Sequence, residues 1–309
     1  MTHLRFKEID SLLFKNPMTI GKKVLTEKEF LRFEFDHKDG VLMGELSSLE
    51  GLHTKGLKDL IEELGQLSKE ELYQLDELSI SELDVSCQLK VALQCCFLFQ
   101  RKERYTNIPI QINSLHVPGF NNKELLKAKR IKVKIGRDEL EKEIHDINQI
   151  IENCSKDTLL RLDANRSLSK RQLEQFWNGI TKKEFIEYFE EPLSNFEELF
   201  AINDIPIALD ENLEKSLREK RIPSQVTSFV VKPGLNFDLK QIKELKKSQK
   251  NIILSSAFEG PFTLACYCVF IHENEELKGQ FHGLDTMSAF FIQENLFTRT
   301  TCGSIFLIP

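Results

Sequence analysis

Residues 130–135 read Arg130-Ile131-Lys132-Val133-Lys134-Ile135, an alternating strand with basic residues on one face and apolar residues on the other. Four further segments follow at intervals of roughly 20 to 30 residues, each an apolar strand running into charged residues at a turn. They are Leu160-Arg161-Leu162-Asp163-Ala164-Asn165, Phe189-Glu190-Glu191-Pro192, Leu209-Asp210-Glu211-Asn212 and Val230-Val231-Lys232-Pro233-Gly234. An apolar strand tolerates such residues only where it opens onto water, a metal or a substrate. Singly, each is an ordinary strand-end charge, a turn or a helix cap. Five in succession point to one polar site assembled by neighbouring strands.

Outward from these segments, strand-like runs at 108–112, 130–135, 158–163, 184–189, 205–209, 228–232 and 251–255 alternate with helix-like segments. Leu140, Ile144, Ile147 and Ile151 line one helical face, and other helices begin near Ser169, Phe196, Leu213, Leu239 and Phe262. Such units imply parallel strands joined by crossover helices. Seven of them, with an eighth strand position around Phe281–Thr286, favour a closed barrel over an open sheet. No GxGxxG follows any strand, which speaks against a dinucleotide-binding fold.

The first hundred residues follow another pattern. Phe30–Phe35 alternates as a strand, Asp39-Gly40 marks a turn, and Val41–Leu46 is its partner. Leu57, Leu60, Ile61 and Leu64 make a helical face, Ser68-Lys-Glu-Glu71 resembles a capping box, and residues from about Ser81 to Gln100 read as a buried helix. The expected fold class is therefore α/β: a modified TIM (β/α)7β-type barrel over 104–286. An N-terminal α+β capping domain over 1–103 is joined by the C-terminal segment 287–309.

The totals are those of a soluble protein: 309 residues, 41% hydrophobic, 29% charged and a net charge of -6, which gives no reason to expect nucleic acid. Seven cysteines without zinc-like CxxC pairs, in apolar runs such as Cys95-Cys96 and Cys266-Tyr-Cys268, read as buried thiols in a reducing compartment. The N-terminus lacks a signal-peptide core, and the longest apolar stretch, Pro261–Ile271, is too short for a bilayer. The expectation is a cytoplasmic protein with a small-molecule partner, no nucleic acid and no membrane.

In a parallel barrel the site lies at the C-terminal strand ends, where all five polar segments fall. Asp163, Glu190 and Asp210 could offer three carboxylates to one hard cation, with Mg²⁺ the best match. Without a cation, acids converging in one cavity push one another's pKa values up. A lysine beside another cation in a dry pocket loses its proton more readily and can act as a base. A divalent metal nearby can hold the oxyanion left behind. The set suits removal of a proton next to a carboxylate.

These residues resemble the enolase superfamily and its muconate-lactonising subgroup: Lys132-Val-Lys134, Asp163 in Asp-Ala-Asn, Glu190 in Glu-Glu-Pro, Asp210 in Leu-Asp-Glu-Asn and Lys232 in Val-Val-Lys-Pro. Gly44–His53 resembles the capping-domain motif. Within that superfamily, Arg161-Leu-Asp163-Ala-Asn165, Ile207–Leu213, Ser255-Ser256 and Gly283-Leu-Asp285-Thr286 are most similar to the o-succinylbenzoate synthase family. The segments Phe258-Glu259-Gly260 and Asn113–Pro118 depart from its pattern. The resemblance implies loss of water from 2-succinyl-6-hydroxy-2,4-cyclohexadiene-1-carboxylate, a menaquinone-pathway step. Lys134 would be the base, Lys232 would face it and Lys132 would tune it. Mg²⁺ on Asp163, Glu190 and Asp210, with Mn²⁺ a possible substitute, would stabilise an enediolate. It also implies substrate contacts at Arg161, Asn165, Ser255, Ser256 and Gly283, and a flap over 16–24 that includes Gly21. Glu191 and Glu211 are expected to support Lys132 or Lys134, and His53, His116, His272 and His282 to be structural or solvated. The rivals are an N-acyl amino acid racemase or dipeptide epimerase with the same site, and a non-catalytic metal-binding scaffold.

Overall fold

The computed structural model describes residues 3–20, 23–116, 127–291, 297–299 and 303–307. Three antiparallel strands come first: β1 (Leu4–Ile20), β2 (Lys23–His37) and β3 (Gly40–Ser47), in the order β1-β2-β3. The β2–β3 pair matches the alternation around Asp39-Gly40. β1 was not legible in the sequence, because most of its side chains are exposed and impose no two-residue pattern. Gly21 lies outside the described residues.

Helices α1 (Leu57–Gly65), α2 (Lys69–Tyr73) and α3 (Cys87–Gln100) pack on this sheet. The capping box is present: Ser68 Oγ accepts from Glu71 N, and Glu71 accepts from Ser68 N. The helix expected from Ser81 starts at Cys87, since Ser86 caps it and Ile80–Glu82 forms a separate 3₁₀ turn. α3 is apolar on two sides. Leu89, Ala92, Leu93 and Cys96 join the core with the sheet, whereas Val91, Cys95 and Leu98 join the barrel core.

The expected first barrel strand at 108–112 is corrected. Its residues form β4 (Ile110–Gln111), which pairs antiparallel with the C-terminal segment, and the parallel sheet begins three residues later at β5 (Ser114–His116). Then come β6 (Arg130–Lys134), α4 (Leu140–Asn153), β7 (Leu159–Asp163), α5 (Lys170–Gly179), β8 (Ile186–Glu190) and β9 (Ile207–Leu209). They are followed by α6 (Leu213–Arg218), β10 (Val226–Val231), α7 (Leu239–Glu244), β11 (Asn251–Leu254) and α8 (Pro261–His272). Near Phe196 the crossover is a 3₁₀ helix, Phe196–Ala201. β5 to β11 form one seven-stranded parallel sheet in sequence order. β12 (Phe297–Arg299) and β13 (Ser304–Leu307) complete the small sheet with β4.

α8 is the apolar stretch noted above, and all twelve of its residues are buried. A helix apolar all round needs cover on every side, and α3 supplies part of it: Phe99 stacks on Phe262 at 4.0 Å.

The eighth strand position is a two-residue seam. His282 N donates to Gln111 O and Asn113 N to His282 O (both 2.9 Å), while Gly283 N donates to Leu254 O (2.7 Å) and Ser256 N to Gly283 O (2.9 Å). The segment thus joins the two edges of the seven-stranded sheet and closes the barrel. The His282 ring completes the seam. Leu254 N donates to Nδ1 at 3.0 Å, which leaves the proton on Nε2, 3.0 Å from Leu277 O. Burial first, and then the charge of Arg161, hold His282 down at about 3 against the pull of Leu277 O. The unfolded chain takes up this proton as pH falls through its ordinary value near 6.5, but the folded chain does not. Stability tied to His282 is complete above that value and falls on acidification by up to about 1.4 kcal/mol per pH unit. Urea unfolding at pH 7 and pH 5 should show this loss in the wild type, reduced by a similar amount in His282→Gln.

Candidate active site

The period-two geometry of parallel strands stacks the barrel interior in layers. The upper layer is Lys134, Asp163, Glu190, Asp210, Lys232 and Ser255, each at or just beyond the C-terminal end of its strand. Two residues earlier on the same strands lie Lys132, Arg161, Tyr188, Ala208, Val230 and Ile253. The last four form an apolar cluster of their own beneath the acids. Register pairs Lys134 with Asp163 and Asp163 with Glu190.

Three ammoniums meet three carboxylates in the upper part of the barrel. Lys132 reaches up from the lower layer to Asp163 Oδ2 (2.8 Å) and Glu190 Oε1 (2.7 Å). Lys134 donates to Asp163 Oδ2 (2.5 Å) and Asn165 Oδ1 (2.6 Å). Lys232 pairs with Asp210. Burial works against the charge of Lys132, but Glu190 and Asp163 outweigh it and hold its pKa above the ordinary value. Lys134 is held below its ordinary value by burial and by Lys132, against the attraction of Asp163. The two β6 lysines are thereby set apart. Burial would raise Asp163, yet Lys132 and Lys134 bring it below the carboxylate range. Glu190 is raised by burial and by Asp163 and Asp210, with Lys132 opposing. Asp210 is raised by burial and by Glu211, with Lys232 opposing. Burial would lower Lys232, but Asp210 and Glu190 hold it up.

The donor set suits a hard divalent cation in type: three buried or nearly buried carboxylates on adjacent strand ends, two of them raised by burial and like charge. Their arrangement does not close around one ion: among the described residues no three carboxylate, imidazole or thiol groups are gathered as a metal cluster. Lys132, Lys134 and Lys232 hold oxygens of all three acids, so loading a cation requires these ammoniums to shift.

Several expected contacts are placed elsewhere. Arg161 lies on the expected face but one layer below the mouth and is 1% exposed. It donates to Glu187 Oε2 (2.8 Å) and Oε1 (3.2 Å), Asn113 Oδ1 (3.2 Å) and Phe281 O (2.6 Å), and stacks on Tyr188. Four of its five N–H groups are spent on the barrel interior, as an internal tie. Ser256 is buried, donates to Glu259 Oε2 (2.5 Å) and accepts from Phe258 N (3.0 Å) and Thr286 Oγ1 (2.8 Å). Glu191 does not turn to the lysines. Its carboxylate accepts from Asp210 N (2.7 Å), Asn212 N (3.1 Å) and the Asn212 side chain, which shapes the turn that presents Asp210. Burial raises it to about 7 against those bonds. Asn165 and Ser255 remain at the mouth. Gly283 abuts Ser255 so closely that a Cβ would lie 2.9 Å from its hydroxyl.

Sequence reasoning missed the partners Asn113 and Glu187 of Arg161, and the Glu191–Asn212 pair. Their only signal was position: Glu191 and Asn212 sit in neighbouring strand-end turns, and nothing in the spacing says which way a carboxylate bends.

A barrel of seven parallel strands and a seam, with acids on three adjacent strand ends and lysines on the strands flanking them, defines a class. Residues 122–222 match the model of the enolase C-terminal domain-like family. The chain is similar to the o-succinylbenzoate synthase of Aliivibrio fischeri, 31% identical over 150 residues, 46% of each chain. It is likewise similar to that of Photorhabdus laumondii, 29% identical over 177 residues, 54% of this chain and 53% of the other. It spans about half the length of the curated relatives it matches. The fold matches o-succinylbenzoate synthase of Thermosynechococcus elongatus, solved with magnesium in the active site. The TM-score is 0.74 and the identity 19%, covering 94% of this chain and 95% of that one. It also matches L-Ala-D/L-Glu epimerase of Bacillus subtilis, with a TM-score of 0.75 and 14% identity over 99% and 96%. The enolase-superfamily resemblance read from the sequence therefore stands. Among the described residues no helix is long and apolar enough to cross a membrane.

Proposed function

We propose that this chain is a lyase that removes water from 2-succinyl-6-hydroxy-2,4-cyclohexadiene-1-carboxylate to give o-succinylbenzoate, a step of menaquinone synthesis. Residues 104–286 would form the catalytic barrel, with 1–103 and 287–309 as its cap. The observation that carries the reading is the placement of Lys134 and Lys232 on β6 and β10, with the acids of β7, β8 and β9 between them. The similarity to two o-succinylbenzoate synthases favours this reaction over the others such a site supports.

Asp163, Glu190 and Asp210 would hold a magnesium ion, which supplies positive charge beside the substrate carboxylate as its α-proton leaves. Lys134, neutral, takes that proton from carbon. Lys132 holds Asp163 and Glu190 and keeps a second positive charge near Lys134. Lys232 offers an ammonium from the other side. The C–O bond then breaks, Lys134 returns its proton to the departing hydroxide as water, and the ring becomes aromatic. Asn165 accepts from Lys134 at the mouth, and Ser255 and Gly283 would meet the succinyl end.

The test is a spectrophotometric assay with purified protein, magnesium and the diene acid. Conversion that is lost with chelator and regained with magnesium is expected. No conversion sinks the dehydratase reading. A second reading, racemisation of N-acyl amino acids or epimerisation of dipeptides, is favoured by lysines approaching from strands on either side of the acids. It predicts α-deuterium exchange from heavy water into those substrates, with Lys232→Ala abolishing exchange for one enantiomer only.

A further inference from the structure

The turn from β11 into α8 carries Ser255 at the mouth and departs from the family pattern at Phe258-Glu259-Gly260. It is strained. Phe258 sits at a φ of 62°, where a bulky residue stays only if its surroundings over-determine it. Bonds within the turn do part of this: Glu259 accepts from Ser256 Oγ (2.5 Å) and Ala257 N (2.8 Å), and Ser256 Oγ accepts from Phe258 N (3.0 Å). The leading end is fixed on the barrel, where Ser255 N donates to Val231 O (2.8 Å) and Ser256 N to Gly283 O (2.9 Å). The trailing end, Gly260, is the N-cap of α8 and has no side chain to offer its first turn.

The missing cap comes from the N-terminal sheet. Leu42 and Leu46 of β3 join the core with the helices, so Val41, Met43 and Glu45 point to the opposite face. Val41 is 53% exposed on that face, yet Glu45 is 2% exposed, because the first turn of α8 covers it. Glu45 Oε1 accepts from Thr263 Oγ1 (2.8 Å) and Thr263 N (3.3 Å). Thr263 is the third residue of the helix, whose N–H an N-cap side chain ordinarily satisfies. A Cβ at Gly260 would stand 2.5 Å from Glu45 Oε2 and 2.6 Å from its Oε1. The side chain absent at 260 and the carboxyl supplied by β3 therefore share one space. Burial raises the Glu45 carboxyl against the Thr263 bonds and the charges of Arg32 and Lys28, which puts the weight on the acceptor oxygen rather than on the charge.

We propose that Glu45 is a positioning residue: it caps α8 from across the chain, holds the trailing end of the strained turn, and so keeps Ser255 against Gly283 at the mouth. Its effect on turnover of the diene acid rests on the dehydratase reading; its effect on the turn does not.

Amide hydrogen exchange on the whole protein reads the turn without substrate. Glu45→Ala should speed exchange at Thr263 and at Ser256 to Phe258 by about tenfold, the scale of a lost helix cap. Glu45→Gln keeps the acceptor and should stay within about threefold of the wild type. Gly260→Ser drives a Cβ into the Glu45 carboxyl and should loosen the turn as well. In the double variant Glu45→Ala/Gly260→Ser the serine enters the vacated space and caps Thr263 itself, so protection should return toward wild type. Two unrelated lesions would add instead. KM for the diene acid should follow the same order, rising about tenfold in Glu45→Ala with kcat within about threefold, and recovering in the double variant.

Unchanged exchange at 256–258 in Glu45→Ala, a double variant as loose as the sum of its parts, or a KM that does not follow exchange would overturn the proposal. If Glu45→Ala does not fold, the double variant decides: folded and protected it supports the cap, unfolded it removes it. An inert wild type that shows the expected exchange pattern overturns the dehydratase reading and leaves the cap standing.

Discussion

Lys134→Ala loses at least about a thousandfold in kcat, the upper part of the range for removing a positioned acid–base group, with little loss of stability. Lys134 is the lysine whose proton is destabilised by burial and by its neighbour, and it sits in the upper layer at the open end of β6. Lys132 keeps two carboxylate partners and stays charged. When Lys134 is removed, Asp163 retains the Lys132 ammonium at 2.8 Å, so no carboxylate is left buried without a countercharge. Lys134→Arg should not restore turnover, because a guanidinium does not give up its proton. Product formation at saturating substrate, together with thermal melting, separates the two effects. A Lys134→Ala protein that turns over within tenfold of wild type removes the assigned base and with it the mechanism.

Arg161→Leu unfolds more easily than the wild type, by about 2–4 kcal/mol, because buried acceptors lose a charged donor. The change leaves Glu187 with Arg130 alone (3.0 Å), takes the donor from the Asn113 amide and Phe281 O, and removes the tie between β7, β8, the residue before β5 and the closing seam. Arg161→Lys should recover little, since an ammonium cannot serve three directions from one planar fork. The measurement is urea unfolding, with activity assayed only where the variant is folded. If stability is unchanged and only KM rises, Arg161 is a substrate contact after all.

Much of this protein is legible along the chain because parallel strands repeat a simple rule. Each strand must be apolar to be buried, and each must end in something polar where it meets the mouth. The five segments from Arg130 to Gly234 therefore announced their strands within about two residues. Ser169 likewise announced the start of its helix, because a hydroxyl there satisfies a backbone donor. β1 escaped detection because exposed strands carry no burial pattern. The first parallel strand was misplaced because Ile110 and Ile112 are buried for another reason: Ile110 and Gln111 pair with β13.

The sequence by itself determined the barrel, the acids of β7, β8 and β9, and the lysines of β6 and β10, since each follows from alternation and from the cost of burying charge. Tertiary structure alone decided which charges meet. Arg161 and Lys132 occupy the same layer, yet Lys132 extends upward to the acids and Arg161 is held among Glu187, Asn113 and Phe281. Two partners from distant parts of the chain fix that choice. It depends on distances across a closed barrel, which no local spacing encodes.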